Sequence, residues 1–344
     1  MKALALGLLT GNGPLVPLLA LVGAGAIVFM LGSRLARHAD RIATQTGLGG
    51  LWIGSVLLAA STSLPEVLTD INAAVLDAPD IGVGDLLGST LANMLILAAL
   101  DIVFARRRIL SQVAVGHTLL GLLGILLTAM AGVAIVTGGW GRVGHIGIET
   151  IAIAVAYLGG MRLLYGTVAV RGLSAERWRP EGWRADGLRG AAAGFSLATL
   201  GLAGVTPLLV LSAEALSLES GLSHAFVGTL LVGLTTSFPE MAATVSAVRL
   251  GALDLAVGNI FGSNAFNMLV LLIMDAAYVR GPLLSVVAGD HLLTVLLAIT
   301  CLALGITAIL SRTQRRPGPA ILESGLIVAT YVLGAWLLYR QRRP

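Results

Sequence analysis

Residues 61–66 read STSLPE and residues 84–93 read GDLLGSTLAN; residues 235–240 read TTSFPE and residues 258–267 read GNIFGSNAFN. These four stretches are one pattern written twice. Residues 51–101 align with 225–275 at a constant offset of 174 residues, without a gap, and 19 of the 51 positions are identical. The matches include Thr62/Thr236, Ser63/Ser237, Pro65/Pro239, Glu66/Glu240, Gly88/Gly262, Ser89/Ser263, Asn93/Asn267 and Asp101/Asp275. Shared apolar composition would pair hydrophobic residues at random. It would not align the rare polar ones, so the chain contains an internal repeat.

The setting of the repeat is apolar. Of 344 residues, 56% are hydrophobic and 12% are charged, against about 25% charged in soluble domains. A water-soluble enzyme is excluded on that ground. Apolar runs near 20 residues, the length that crosses a bilayer core as helix, fall at about 14–33, 48–76, 82–104, 114–136, 144–166, 191–213, 222–250, 256–279, 290–311 and 321–339. The expected fold is an all-α polytopic membrane protein with ten transmembrane helices. It divides into a first five-helix repeat (1–170), a cytoplasmic connecting loop (171–190, RGLSAERWRPEGWRADGLRG) and a second five-helix repeat (191–344). Five crossings separate the two Pro-Glu pairs. Five is odd, so the second copy runs through the membrane in the opposite sense, the inverted-repeat plan of secondary transporters.

Charge sets the expected orientation. Loops on the connecting-loop side hold fifteen arginines, including Arg34, Arg37, Arg41 and Arg106 to Arg108, against six basic residues on the side of the termini. The positive-inside rule then places the connecting loop in the cytoplasm and both termini outside. The arginines alternate with apolar runs instead of forming one patch, so the net charge of +4 is no nucleic-acid signal. The partners expected are the lipid bilayer and transported ions. The single cysteine, Cys301, can form no intrachain disulfide. His38, His117, His145, His224 and His291 show no metal spacing, and no HExxH, GxSxG or paired Asp-His motif supports an enzyme.

Each residue of the repeat has a physical use. Proline lacks an N–H, so the carbonyl four residues earlier, Ser61 or Thr235, loses its helical partner. In lipid it must be satisfied by protein, water or an ion. Thr62, Ser63, Thr236 and Ser237 supply hydroxyls beside the break, and Glu66 and Glu240 supply carboxylates. No basic residue lies near either Pro-Glu within its span, so a bound cation is the natural counter-charge. Two carboxylates among hydroxyls, carbonyls and amides form a hard oxygen site that suits calcium or sodium. On the next span, Gly84 and Gly88, and Gly258 and Gly262, leave a smooth face for close approach. Ser89 and Asn93, and Ser263 and Asn267, stand four residues apart on one helix face. Asp70, one turn past Glu66, is a possible additional carboxylate. Asp101 and Asp275 read as structural, Asp77, Asp80 and Asp254 as loop residues, and Glu149 as close to the outer interface.

STSLPE…GSTLAN and TTSFPE…GSNAFN resemble the two alpha-repeats of the cation/calcium exchanger superfamily, in its prokaryotic sodium/calcium antiporter form. The resemblance implies a four-helix ion-binding core, with Thr62, Ser63, Glu66, Ser89 and Asn93 serving in one half and Thr236, Ser237, Glu240, Ser263 and Asn267 in the other. It implies sodium-coupled calcium exchange by alternating access in a prokaryotic plasma (inner) membrane. The first and sixth helices would slide against the core, and no cofactor would be present beyond the transported sodium and calcium. Thr90 and Ala92 stand where the second copy has Asn264 and Phe266, Asp85 stands opposite Asn259, and Asp70 opposite Thr244. These departures bear on the ion carried. Exchange of calcium or another divalent ion for protons is the alternative, with Glu66, Glu240 or Asp70 carrying the proton.

Overall fold

A computed structural model describes residues 9–11, 13–104, 109–113, 116–171, 187–220, 233–313 and 322–341. Helix α1 covers Leu15–Thr46 and stops at Gly47, whose left-handed backbone (φ 71°) ends the helix with its N–H on the Ala43 carbonyl. The sequence places the end of this helix near residue 33 and Arg34, Arg37 and Arg41 in a loop. The helix instead runs on through them, because no glycine or proline interrupts the pattern that buries Leu35, Ala36, Ala39, Ile42 and Ala43 on one face.

A bent pair follows, α2a (Gly49–Thr62) and α2b (Leu64–Val75), angled by 47°. Then come α3 (Pro79–Val103), α4 (Gly116–Thr137) and α5 (Ile148–Arg171). The second half holds α6 (Leu188–Ser220), α7a (Gly233–Thr236), α7b (Phe238–Leu250), α8 (Leu253–Ala277), α9 (His291–Thr313) and α10 (Leu322–Gln341). Most of the connecting segment 171–190, with Trp178 and Trp183, and the start of the seventh apolar run lie outside the described residues. Among the described residues, a departure from helix that the sequence did not suggest is a two-stranded antiparallel ribbon, β1 (Arg142–Val143) on β2 (Ile146–Gly147).

Among the described residues seven helices are long and apolar enough to cross a membrane, or eight if the bent pair is one span. Their outer faces are apolar. Leu19, Val22, Leu158, Leu163, Leu197 and Leu200 are all more than 60% exposed, a surface that only lipid or protein would cover. The helices are unequal in depth. In α3 and α8, 78% of the most apolar stretch is buried, against 28% in α1 and α6. The two helices that carry the Gly-Ser…Asn halves of the repeat are therefore the centre, and α1 and α6 pack against each other at the periphery.

Close approach at the centre depends on glycine. A Cβ on Gly54 would lie 2.6 Å from the Leu255 carbonyl oxygen, and one on Gly262 would lie 2.5 Å from the Ser55 Cα. Helix α2a thus lies on α8 backbone to backbone. Within α2a, Ile53–Leu58 form a π-helical turn, a local widening found often near functional sites.

Polar contacts recur at the repeat offset. His117 at the start of α4 meets Asp254 at the start of α8 (2.9 Å), and His291 at the start of α9 meets Asp80 at the start of α3 (3.2 Å). Asp80 and Asp254, expected in loops, occupy first helical turns, where a carboxylate is favoured. The same offset relates Leu110 to Leu284, Val113 to Val287 and His117 to His291, so the repeat extends beyond residue 101. Asp77 in the turn after α2b pairs with Arg280 and accepts from the Tyr278 hydroxyl (3.1 Å).

Asp101 and Asp275 hold the helices together. Asp101 accepts from the Ser324 hydroxyl at 2.6 Å. Asp275 accepts from the Gly147 N–H (2.8 Å), the Thr150 hydroxyl (2.5 Å) and the Leu283 N–H (2.7 Å). Each buried donor left unsatisfied costs about 1–3 kcal/mol. Asp275→Ala is therefore expected to lower the apparent melting temperature in detergent clearly, while Asp290→Ala, at an exposed turn position, leaves it unchanged. Glu149, expected near water, is fully buried and accepts from the Trp140 N–H at 3.0 Å, closing the ribbon loop.

Candidate functional site

The site begins with two helix breaks. Pro65 and Pro239 occupy the first turn of α2b and α7b, the place where a missing N–H does least harm. Ser63 and Ser237 are the residues at the breaks, with φ, ψ of −83°, 4° and −78°, 6°. The order Ser-x-x-Glu is that of a capping box, but neither serine side chain caps its own helix. The Ser63 hydroxyl donates across the molecule to Glu240 Oε1 at 2.9 Å. Glu66 and Glu240 sit in the first turns of their helices, where the helix dipole favours a carboxylate, and lie in electrostatic range of one another.

All ten residues singled out by the repeat are at most 1% exposed: Thr62, Ser63, Glu66, Ser89, Asn93, Thr236, Ser237, Glu240, Ser263 and Asn267. Several meet across the two halves. Ser89 Oγ lies 3.3 Å from Thr236 Oγ1, and Asn93 Nδ2 donates to Asn264 Oδ1 at 2.9 Å. Thr62 donates to Asn259 Oδ1 at 3.3 Å and also back to the Leu58 and Ala59 carbonyls. Asn267 reaches the Leu86 carbonyl at 3.5 Å. Asn259, Asn264 and Asp85, the positions where the copies differ, are thus part of the network.

The contacts exchange between halves. Thr62 meets Asn259, and at the repeat offset Thr236 donates to Asp85 Oδ1 at 3.2 Å. Asn259 donates to the Thr244 hydroxyl at 3.0 Å, and at the same offset Asp85 interacts with Asp70. A contact that recurs with its two partners swapped is the signature of a two-fold interface.

Six of the ten residues present a buried oxygen with no hydrogen-bond partner: Glu66 Oε2, Asn93 Oδ1, Ser237 Oγ, Glu240 Oε2, Ser263 Oγ and Asn267 Oδ1. In folded proteins buried polar atoms are nearly all partnered. None of the ion pairs among the described residues involves Glu66 or Glu240. Nor, among those residues, do three His, Cys, Asp or Glu side chains converge as in a transition-metal centre. The oxygens left over are carboxylate, hydroxyl and amide acceptors, a set suited to a weakly covalent, hard cation.

Comparison with known proteins bears on the family and the fold. The model of the sodium/calcium exchanger protein family matches residues 16–164 and again 190–340. Inner membrane protein YrbG of Escherichia coli is 28% identical over 267 residues, 77% of this chain and 80% of that protein. Sodium/calcium exchanger MaX1 of Methanosarcina acetivorans is 44% identical over 52 residues, 15% of each chain. The fold is that of the sodium-calcium exchanger NCX_Mj, with a TM-score of 0.67 at 22% identity over 92% of this chain and 98% of that one. The molecule is an integral membrane antiporter of cations. It belongs to the sodium/calcium exchanger protein family.

Proposed function

We propose that the chain exchanges calcium for sodium across a prokaryotic inner membrane, with Glu66 and Glu240 holding the transported ions. The ten residues of the two motifs would form the coordination shell. The observation that carries this reading is the set of six buried, unpartnered oxygens drawn from both halves, two of them on the Glu66 and Glu240 carboxylates. A cation would satisfy them together. Two formal negative charges balance one calcium ion, or are shared among sodium ions that also use the hydroxyls.

The same reading takes the chain as ten spans in two inverted five-helix repeats, 1–170 and 191–344, joined by a cytoplasmic segment at 171–190, with both termini outside. The swapped contact pairs and the twofold family match support it. The peripheral, sparsely buried α1 and α6 are the elements free to slide against the centre and expose the site to either side in turn. Ions of both kinds compete for the same oxygens. An empty pair of carboxylates faces a desolvation cost on crossing, so occupied states move and exchange is obligatory.

Calcium uptake into proteoliposomes, with one gradient imposed at a time, tests the coupling. An outward sodium gradient alone is expected to drive uptake, and a pH gradient alone is expected to leave it at background. Uptake driven equally by the pH gradient alone would overturn sodium coupling in favour of proton exchange.

A further inference from the structure

We infer that Asp70 and Asp85 form a second cation site beside the central cluster, present in the first half alone and suited to a hard divalent cation. The inference rests on the antiporter reading and adds a resting place for its ion. Asp70 on α2b is fully buried, and among the described residues no hydroxyl, amide or basic group donates to either of its carboxylate oxygens. It faces α3: a Cβ on Gly82 would lie 3.4 Å from Asp70 Oδ1. Asp85, one turn along that helix face, is 7% exposed, and its Oδ2 is also unpartnered. The two carboxyl groups lie within hydrogen-bonding reach of one another, and among the described residues no ion pair neutralises either.

The second half supplies an internal control. The equivalent positions hold Thr244 and Asn259, a neutral pair closed by its own 3.0 Å hydrogen bond. The fold therefore accommodates this location without any charge. Two acids there add nothing that packing requires, and burying charge without a partner is expensive. Asp85 Oδ1 also accepts from Thr236, whose hydroxyl lies 3.3 Å from that of Ser89. One hydroxyl thus links the acid pair directly to the central shell.

The test gives the first half the residues of the second. Calcium binding is measured by equilibrium dialysis with radioactive calcium on the purified full chain in detergent. With Glu66→Gln and Glu240→Gln together, one calcium ion per chain is expected to remain bound. Adding Asp70→Thr and Asp85→Asn is expected to weaken that remaining binding at least 100-fold. Because Thr and Asn already occupy the matching positions, a single elution peak is expected. Asp70→Asn alone, which keeps side-chain shape, is expected to weaken the remaining binding at least 10-fold and serves if the larger variant aggregates. No residual binding in the double-glutamine protein, when the wild type binds calcium, overturns the second site. Residual binding that survives Asp70→Thr with Asp85→Asn, or Asp70→Asn, overturns it too, as when the two carboxyls merely share a proton. A wild type that binds no calcium at all contradicts the antiporter reading instead.

Discussion

Replacing Glu240 by glutamine is expected to abolish sodium-driven calcium uptake, with a loss of more than about 100-fold. Removing a residue that merely orients a metal ligand already lowers metal affinity by about 10–100-fold, and Glu240 is proposed as a ligand itself. Glutamine keeps the volume and an oxygen that can accept from Ser63 Oγ, now 2.9 Å from Glu240 Oε1. Folding is therefore expected to survive while the charge is lost. Glu66→Gln is expected to do the same, because the repeat gives the two carboxylates equivalent places at the starts of α2b and α7b. The check is isotope uptake by proteoliposomes matched for protein content. Uptake by Glu240→Gln within a few-fold of wild type would show that the carboxylate does not hold the ion.

The second large effect concerns the contact that sets the site. Gly262→Val is expected to leave little folded protein. A Cβ there would meet the Ser55 backbone at 2.5 Å from Cα and 2.6 Å from the carbonyl oxygen. Overpacking a core costs about 1–3 kcal/mol where side chains can yield, and here the obstacle is main chain. Helix α2a would be forced off α8, separating Thr62 from Asn259. Gly159→Ala in α5 is the control, since nothing lies within 4 Å of its Cβ position. Fluorescence-detected size exclusion after heating reads both. A Gly262→Val protein as heat-stable as wild type would mean that the backbone approach is not required.

The centre of the molecule was legible in the sequence because its chemistry is rare in lipid. Two Pro-Glu pairs and two Gly-Ser…Asn runs at one offset pointed to broken helices and to the residues that meet. All ten are buried, and the breaks fall at Ser63 and Ser237. What the sequence withheld is geometry. The π-helical turn at Ile53–Leu58 leaves no mark among apolar residues, because widening one turn changes no composition. The reach of α1 to Thr46 was hidden by arginines, which mark a membrane boundary but do not end a helix. The Asp-His contacts at the starts of α3 and α8 were missed for a different reason. His117 and His291 obey the repeat offset, yet the spacing of histidines along the chain carries no mark of the carboxylates opposite them. Asp85 looked like a simple departure from Asn259. Only the swapped contacts reveal that both occupy one role, bonded to a motif threonine from the other half.

The most direct measurement is a crystal structure of the protein soaked in calcium, read by anomalous difference density. A peak is expected between the two halves, about 2.3–2.6 Å from carboxylate oxygens of both Glu66 and Glu240. Full calcium occupancy elsewhere, with those two carboxylates turned away from each other or toward lipid, would contradict the shared ion at the meeting of the halves.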